Sequence, residues 1–117
     1  MLDLAVIIVN WNTRDLLRKC LASLDHYTND ISYKVFVVDN GSSDGSPEMV
    51  AQEFPSVRLI RNSENVGFSK ANNQAIRLTS SRYVLLLNSD TELASNVLNA
   101  MVGFMDTHPS VGIAGTK

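Results

Sequence analysis

The sequence has few of the residues that mark disulfide-stabilised, membrane-spanning or nucleic-acid-binding proteins. Cys20 is the single cysteine among 117 residues, which excludes an intramolecular disulfide and a multi-cysteine zinc site. The longest apolar run at the start, LAVIIV, is far shorter than the roughly 20 residues of a membrane span and lacks the flanks of a signal peptide. Lys and Arg number 10 against 12 Asp and Glu, with no basic run, so no nucleic-acid partner is expected.

The residues that are present describe a small globular domain. Hydrophobic residues make up 44% of the chain and charged residues 19%, a balance typical of a folded protein. Cys20 lies in an amphipathic stretch, where a buried core thiol is a better interpretation than a nucleophile. A reduced cysteine fits a cytoplasmic location, and a location at the inner surface of the membrane is also compatible with the sequence.

Strand-like and helix-like segments alternate along the chain. The apolar, β-branched segments that predict buried strands are 4–9, 33–38, 57–60, 82–87 and 111–114. Helices are predicted to begin after Asn12 or Thr13, at Pro47, near Phe68, and at Ser95 or Asn96. This alternation predicts an α/β fold, with a mostly parallel, Rossmann-like sheet and helices on both faces.

Polar clusters follow four of the predicted strands. They read NWN, DNGSSDGS, NSENVG and NSDTE in chain order. Ligands of open parallel sheets bind outside the carboxyl ends of the strands, so these clusters predict a binding site along one edge. Asp90, in the last cluster, stands just past a hydrophobic strand, at that edge.

Asp39 opens the second cluster and has two interpretations. Its carboxylate could accept a hydrogen bond from a base N–H or a ribose hydroxyl, or it could cap a turn rich in Asn-Gly and Asp-Gly. The cluster contains neither G-x-G-x-x-G nor a P-loop, so a dinucleotide fingerprint and a Walker motif are both absent. The residues alone leave these two interpretations of Asp39 open.

Four other residues also have a functional and a structural interpretation. Asp90, with Glu92 nearby, suits a hard divalent cation that also binds substrate phosphates and water. However, Asn-x-Asp is also common in turns, and Glu92 could simply favour a helix start. Lys70 lies in the first turn of a helix opened by Gly67, where phosphate could bind, but a solvated lysine is the better interpretation of Lys70 taken alone. Trp11 could stack on a base or belong to the core.

Four segments taken in order resemble the nucleotide-sugar-binding half of the family 2 inverting glycosyltransferases of the GT-A fold. They are VIIVNWN, VVDNGSSDGS, NVGFSKANNQAI and LLLNSDTEL, and the resemblance covers nearly the whole chain. LLLNSDT is most similar to the rhamnosyltransferase-like members, whose donors are often dTDP-rhamnose. The resemblance implies that residues 1–117 form the N-terminal nucleotide-sugar-binding part of a GT-A domain, without the acceptor-binding half.

The resemblance also implies roles for individual residues. Trp11 and Asp39 would contact the donor base, with Asp39 meeting its N3–H. The ribose and diphosphate side would be lined by Asn65, Gly67, Lys70 and Asn73. Asn88 and Asp90 occupy the family's Asp-x-Asp position, with Asp90 as the ligand of Mg²⁺ or Mn²⁺. Asn88 departs from the family pattern, and its amide could bond a ribose hydroxyl but would weaken the metal site.

The implied reaction is metal-assisted transfer, with inversion, from a dTDP- or UDP-sugar to a hydroxyl of a glycan or lipid-linked acceptor, as in polysaccharide biosynthesis. The family's general base lies in the second half of the domain, so we assign no catalytic residue within residues 1–117 and expect this chain alone to be inactive. An uncovered sheet edge would favour a homo-oligomer. A nucleotidyltransferase and a non-catalytic nucleotide-binding α/β module are the alternatives.

Overall fold

Strands and helices alternate in the structure as the sequence predicts. The computed structural model describes residues 2–108, in which four strands alternate with four helices. The elements are β1 Leu2–Asn10, α1 Arg14–Tyr27, β2 Tyr33–Asp39, α2 Ser46–Glu53, β3 Arg58–Arg61, α3 Phe68–Ile76, β4 Ser81–Asn88 and α4 Val97–Thr107. The fifth predicted strand, residues 111–114, lies outside the described residues.

The described strands form one parallel sheet in the order β3-β2-β1-β4. The central strand β1 pairs Asn10 with Asp39 on one side and Val9 with Asn88 on the other. The chain moves outward from β1 to β3 and then crosses back to β4. A right-handed crossover that reverses direction must pass over the opposite face of the sheet, and α3 packs on that face. The predicted α/β fold is confirmed.

The two faces of the sheet are covered unequally. On one face α1, α2 and α4 bury a large core that includes Leu17, Leu24, Val50 and Leu98. The other core is smaller, with Ala71 and Ala75 of α3 lying against Ala5, Ile7 and Phe36. Because α3 lies over β1 and β2, the apolar side chain of Leu86 on β4 remains 42% exposed.

Two apolar side chains of α1, Cys20 and Leu16, differ in how deeply they are buried. Cys20 is completely buried, which confirms the predicted core thiol. Leu16 has the helical spacing of the same apolar face but is 46% exposed, because it lies at the edge of the stripe formed by the buried Leu17, Cys20 and Leu24. None of the helices among residues 2–108 has the length and apolarity needed to cross a membrane.

Candidate functional site

The polar loops after β1, β2 and β4 meet at the carboxyl edge of the sheet. The backbone N–H of Asn12 donates to Ser42 Oγ at 2.9 Å, which joins the loops after β1 and β2. The hydroxyls of Thr13 and Ser89 lie 3.1 Å apart and join the loops after β1 and β4. The parallel strands therefore bring together the residues that follow β1, β2 and β4, although they are far apart in sequence.

Asp39 is both buried and heavily hydrogen-bonded. Its side chain is 1% exposed. Oδ1 accepts from Asn10 Nδ2 at 3.1 Å and from Ser42 Oγ at 2.7 Å, and Oδ2 accepts from the Ser42 backbone N–H at 2.9 Å. The structural interpretation of Asp39 therefore holds. An ionised carboxylate offers about four acceptor positions, so one on Oδ2 remains for a further donor, and its base-reading role stays a prediction.

Asn10 belongs to the predicted NWN cluster, but the sequence analysis gave it no role of its own. Its side chain is fully buried at the end of β1. Its amide donates to Asp39, while its Oδ1 accepts from Thr13 Oγ1 at 2.6 Å. Buried amides need partners for both ends, and these two satisfy them. A polar residue closing the apolar run LAVIIV was the one sequence signal that could have found it.

The loop after β1 holds Trp11 out toward solvent. Asn12 has φ 53°, in the left-handed region that non-glycine residues rarely adopt. Two hydrogen bonds hold it there, from its N–H to Ser42 Oγ and from the Ser43 N–H to its Oδ1 at 2.8 Å. Trp11 is 54% exposed, so the core interpretation of its indole is wrong. The indole is an accessible aromatic surface in the loop next to the one that begins at Asp39.

Asp44 ties the second loop to the start of α1. Its Oδ2 accepts the backbone N–H of Arg14 at 2.9 Å, and its Oδ1 accepts the Ser46 N–H at 3.0 Å and the Ser46 hydroxyl. Burial raises the pKa of the Asp44 carboxyl, but hydrogen bonds from Ser46 and Arg14 outweigh that effect and hold the pKa below its usual value. Asp44, from the loop after β2, therefore caps the N-terminus of α1 as an ionised carboxylate.

Buried amides also fix the loop between β3 and α3. Asn40, 2% exposed, accepts from Asn62 Nδ2 at 3.1 Å and donates to the Gly67 carbonyl at 3.3 Å. Asn62 and Gln74 exchange two amide hydrogen bonds of 2.8 and 2.9 Å. Asn65 Oδ1 accepts the Gly67 N–H at 2.8 Å. The loop that carries Asn65 and Gly67 is therefore held against the end of β2.

The residues predicted for the ribose and diphosphate side all lie on the surface. Asn65, Gly67, Lys70 and Asn73 are exposed, whereas the neighbouring Asn72 is buried. Asn65 and Gly67 belong to the loop fixed by Asn40, and Lys70 and Asn73 lie on α3. The structure thus places the four on one loop and the helix that follows it.

Asn88 and Asp90 occupy the turn after β4. Both side chains are exposed, and the Thr91 N–H closes the turn on the Asn88 carbonyl at 3.1 Å. Burial, and then the negative charge of Asp90, raise the pKa of Cys20 to about 12, so the thiol beneath this turn stays protonated.

Among residues 2–108 no three His, Cys, Asp or Glu side chains are grouped to hold a metal ion. Asp90 alone therefore fits only a cation held mainly by phosphates and water.

One of two grooves on the described surface borders this site. A groove of about 340 Å³ borders the loop after β1, between Thr13 and Asp44. A cleft of about 380 Å³ lies at the opposite edge of the sheet, between Tyr33 and Phe54. The polar loops at the carboxyl edge form an open surface.

The chain belongs to glycosyltransferase family 2. The model of that family, described as "Glycosyl transferase family 2", matches residues 5–117. The match covers the described sheet from the middle of β1 onward.

Known relatives and solved structures agree with this assignment. The N-acetylglucosaminyl-diphospho-decaprenol L-rhamnosyltransferase of Mycobacterium tuberculosis is 28% identical over 96% of this chain and 40% of its own length. An N-acetylglucosaminyltransferase of Bradyrhizobium elkanii is 37% identical over 84% of this chain and 56% of its own. The structure of S. aureus TarS 1–349 in complex with UDP-GlcNAc superposes with a TM-score of 0.80 at 24% identity, over 92% of this chain and 32% of that one.

A second solved structure has the same fold. The mannosyltransferase PcManGT from Pyrobaculum calidifontis, in complex with GDP-Man and Mn²⁺, superposes with a TM-score of 0.73 at 24% identity, over 87% of this chain and 34% of that one. These likenesses show the GT-A fold. The chain spans about 40% of the length of the M. tuberculosis relative.

Proposed function

We propose that this chain forms the nucleotide-binding part of a glycosyltransferase that uses a pyrimidine nucleoside diphosphate sugar. The buried Asp39 carboxylate carries the proposal, because three protein donors hold it rigidly and one acceptor position remains. A fixed carboxylate can accept the N3–H of uracil or thymine, which purines do not present in the same way. Trp11, exposed in the adjoining loop, supplies a surface on which such a base can stack.

The donor's ribose and diphosphate would lie toward the exposed residues of α3 and the loop before it. The N-terminus of α3 has no side-chain cap, so its first N–H groups are free to meet an anion. Lys70 in that turn adds a positive charge, and Asn65, Gly67 and Asn73 supply polar atoms around it. Asn88 offers an amide for a ribose hydroxyl.

Asp90 would hold a divalent cation, Mg²⁺ or Mn²⁺, together with the donor diphosphate. Its exposed carboxylate, without two further ligands among residues 2–108, suits a cation that binds only in the presence of phosphate oxygens. When bound, the ion supplies charge neutralisation to the departing diphosphate. The metal-bound structure of PcManGT supports this proposal by fold alone.

In the reaction that we propose, an acceptor hydroxyl oxygen attacks the anomeric carbon as the bond from that carbon to the diphosphate oxygen breaks. The stereochemistry is inverted, and the hydroxyl proton passes to a base that we expect outside residues 1–117. The sugar is proposed to be rhamnose from dTDP-rhamnose, or a UDP-sugar, with a glycan or lipid-linked acceptor in polysaccharide biosynthesis. The names of the M. tuberculosis and B. elkanii relatives support these two sugar classes.

The proposed location of the protein is the cytoplasm, and the inner surface of the membrane when the acceptor is lipid-linked. Cys20 supports a reducing compartment because it is a free, buried thiol. The M. tuberculosis relative is named for an acceptor on decaprenol diphosphate, which supports the membrane surface.

Nucleotide binding by this chain tests the proposal. We expect UDP or dTDP to bind at least tenfold more tightly with Mg²⁺ or Mn²⁺ than with EDTA, and Asp90→Asn to reduce that ratio toward one. Asp25→Asn, which changes an exposed carboxylate at the opposite edge of the sheet, is the matched control and should keep the ratio. Calorimetry measures both constants, and equal affinity with metal and with EDTA in the wild-type chain would contradict the metal role of Asp90.

Assays of transfer separate the proposal from its alternatives. We expect residues 1–117 to bind donor without multiple turnover, because inversion needs a base within reach of the acceptor hydroxyl. A nucleotidyltransferase would instead form a nucleotide sugar from a sugar phosphate and an NTP, yet NWNTRDLL lacks the glycine-rich basic loop of that class. A longer natural chain that binds donor and neither transfers nor hydrolyses it would identify a non-catalytic module.

A further inference from the structure

We propose that Thr13 is a positioning residue that couples the base-binding part of the site to the turn carrying Asp90. This inference rests on the proposed function, since it concerns how two parts of that site act together. Thr13 lies between them, with its hydroxyl bonded to Asn10 on one side and to Ser89 on the other.

The hydrogen bonds around Thr13 have one consistent direction. A hydroxyl has a single proton, and Thr13 donates its own to Asn10 Oδ1 at 2.6 Å. Ser89 must therefore be the donor in the 3.1 Å contact with Thr13. Asn10 in turn donates to Asp39 Oδ1 at 3.1 Å. The chain of donors runs from Ser89 through Thr13 and Asn10 to the Asp39 carboxylate, and we call it the relay.

Thr13 directly precedes α1, but its hydroxyl does not cap that helix. Thr13 is the N-cap residue of α1, a place where threonine normally accepts a hydrogen bond from the helix backbone. Its side chain makes no such cap. The cap of the first N–H comes instead from Asp44. The Thr13 hydroxyl is thus available to link the loops after β1 and β4.

The relay joins side chains at the ends of two strands that are not neighbours in the sheet. Asp39 ends β2, whereas Ser89 stands between Asn88 and Asp90 after β4, and β1 separates the two strands in the sheet. Ser89 donates to Thr13, and Thr13 donates to the fully buried Asn10. A displacement of the turn that carries Ser89 therefore changes the hydrogen bonds that fix the Asn10 amide against Asp39. Occupation of one part of the site therefore favours the bound arrangement of the other.

The coupling predicts a specific pattern in nucleotide binding by the wild-type chain and its variants. Thr13→Val keeps the side-chain shape and removes the hydroxyl. We expect it to lower the metal enhancement of UDP or dTDP affinity at least fivefold and to reduce the preference for UDP over ADP by a similar factor. Thr13→Ser should restore both. The affinities are measured by calorimetry, and by fluorescence of Trp11, the single tryptophan of the chain.

A double-mutant cycle distinguishes positioning from a general structural effect. In the Asp90→Asn background, where the metal enhancement is already lost, Thr13→Val should change UDP affinity at least threefold less than in the wild-type background. The matched control is Thr79→Val, which removes the hydroxyl donor of the 3.2 Å bond to Ser81 at the other end of β4 and should leave nucleotide binding unchanged.

The binding measurements distinguish failure of the relay from failure of the proposed function. Equal effects of Thr13→Val in both backgrounds, or unchanged binding, would overturn the relay while leaving the proposed function intact. A wild-type chain that binds no nucleoside diphosphate would overturn the proposed function and the relay with it. Ser89→Ala breaks the same link from the other side and leaves Asn10 satisfied by Thr13. If Thr13→Val fails to fold, the metal enhancement of Ser89→Ala decides, with a decrease supporting the relay and an unchanged value overturning it.

Discussion

At the scale of the residue, Asp39 serves the fold and the proposed ligand with the same carboxylate. Three protein donors meet its oxygens, and the proposed base would be the fourth. A group that is fixed before the ligand arrives loses little freedom on binding. The structural and functional interpretations of Asp39 therefore do not compete.

We expect Asp39→Ala to affect both stability and base selectivity. Loss of the carboxylate leaves the Ser42 N–H without an acceptor and the buried Asn10 amide with only the long 3.4 Å contact to Ser42 Oγ, which should lower the free energy of unfolding by about 2–3 kcal/mol. Affinity for UDP and dTDP should decrease at least tenfold while the response to metal persists. Urea unfolding and calorimetry measure the two effects. Asp25→Asn, exposed at the opposite edge of the sheet, is the control, and a variant that still prefers UDP to ADP would refute base reading.

Residue types after strands indicated Asp39 and Asp90 because their polar clusters interrupt apolar runs. The same clusters contain Asn10, Ser42 and Ser89, but the logic could not show which of these side chains bond to one another. Asn10 ends β1, Thr13 resembles an ordinary helix cap, and Ser89 resembles a turn residue. Their connection depends on β4 lying next to β1, and the order of strands in a sheet is not contained in any local pattern.

At the scale of the element, the loop after β2 and the loop before α3 come close together at Gly41. Its φ is +83°, and an added Cβ would lie 3.0 Å from the Cα of Glu64 and 3.1 Å from its carbonyl carbon. Backbone cannot move aside as a flexible side chain can. Glycine at this position therefore lets the loop carrying Asn65 and Gly67 lie against the end of β2.

Two glycine substitutions should have opposite effects on stability. Gly41→Ala combines a left-handed backbone with a close backbone contact, so we expect it to lower the free energy of unfolding by about 2–3 kcal/mol. Gly103→Ala lies within α4 with nothing within 4 Å of the added methyl group, and should raise it by about 0.5–1 kcal/mol. Circular dichroism during urea unfolding measures both. A stabilising Gly41→Ala would show that the two loops are not in contact.

At the scale of the whole molecule, the thinly covered face of the sheet is a place for association. Parallel sheets are normally covered on both faces. Among the described strands β4 pairs only with β1, and Leu86 on it is 42% exposed. Ile76 and Leu78, in and just after α3, add exposed apolar surface. An uncovered edge next to such surface favours pairing with another chain.

We expect the purified chain to form dimers or larger oligomers as its concentration rises, and Leu86→Lys to shift it toward the monomer. A charged side chain in this position makes burial of the sheet face unfavourable. Light scattering after size-exclusion chromatography measures the mass. Phe104→Lys, at a 49% exposed position of α4, is the control and should not dissociate the oligomer. A strictly monomeric wild-type chain at high concentration would refute the prediction.

The sequence also predicted the architecture at this scale, and it did so through periodicity. Buried parallel strands are continuous apolar runs, and helices are amphipathic, so their alternation was visible without coordinates. The unequal covering of the two faces was not visible. It depends on α3 crossing back over β1 and β2, while α4 packs on the same face as α1 and α2.

The central place of β1 has a consequence for how the chain is made. Leu4 pairs with Tyr33 on one side and with Tyr83 on the other, so the two partners are separated by 83 − 33 = 50 residues of synthesis. At roughly 5–20 residues per second, the ribosome needs about 3–10 s to bridge that interval. Throughout it, the LAVIIV strand has one bare side, and chaperones that bind extended apolar segments have their best opportunity before Tyr83 emerges from the exit tunnel.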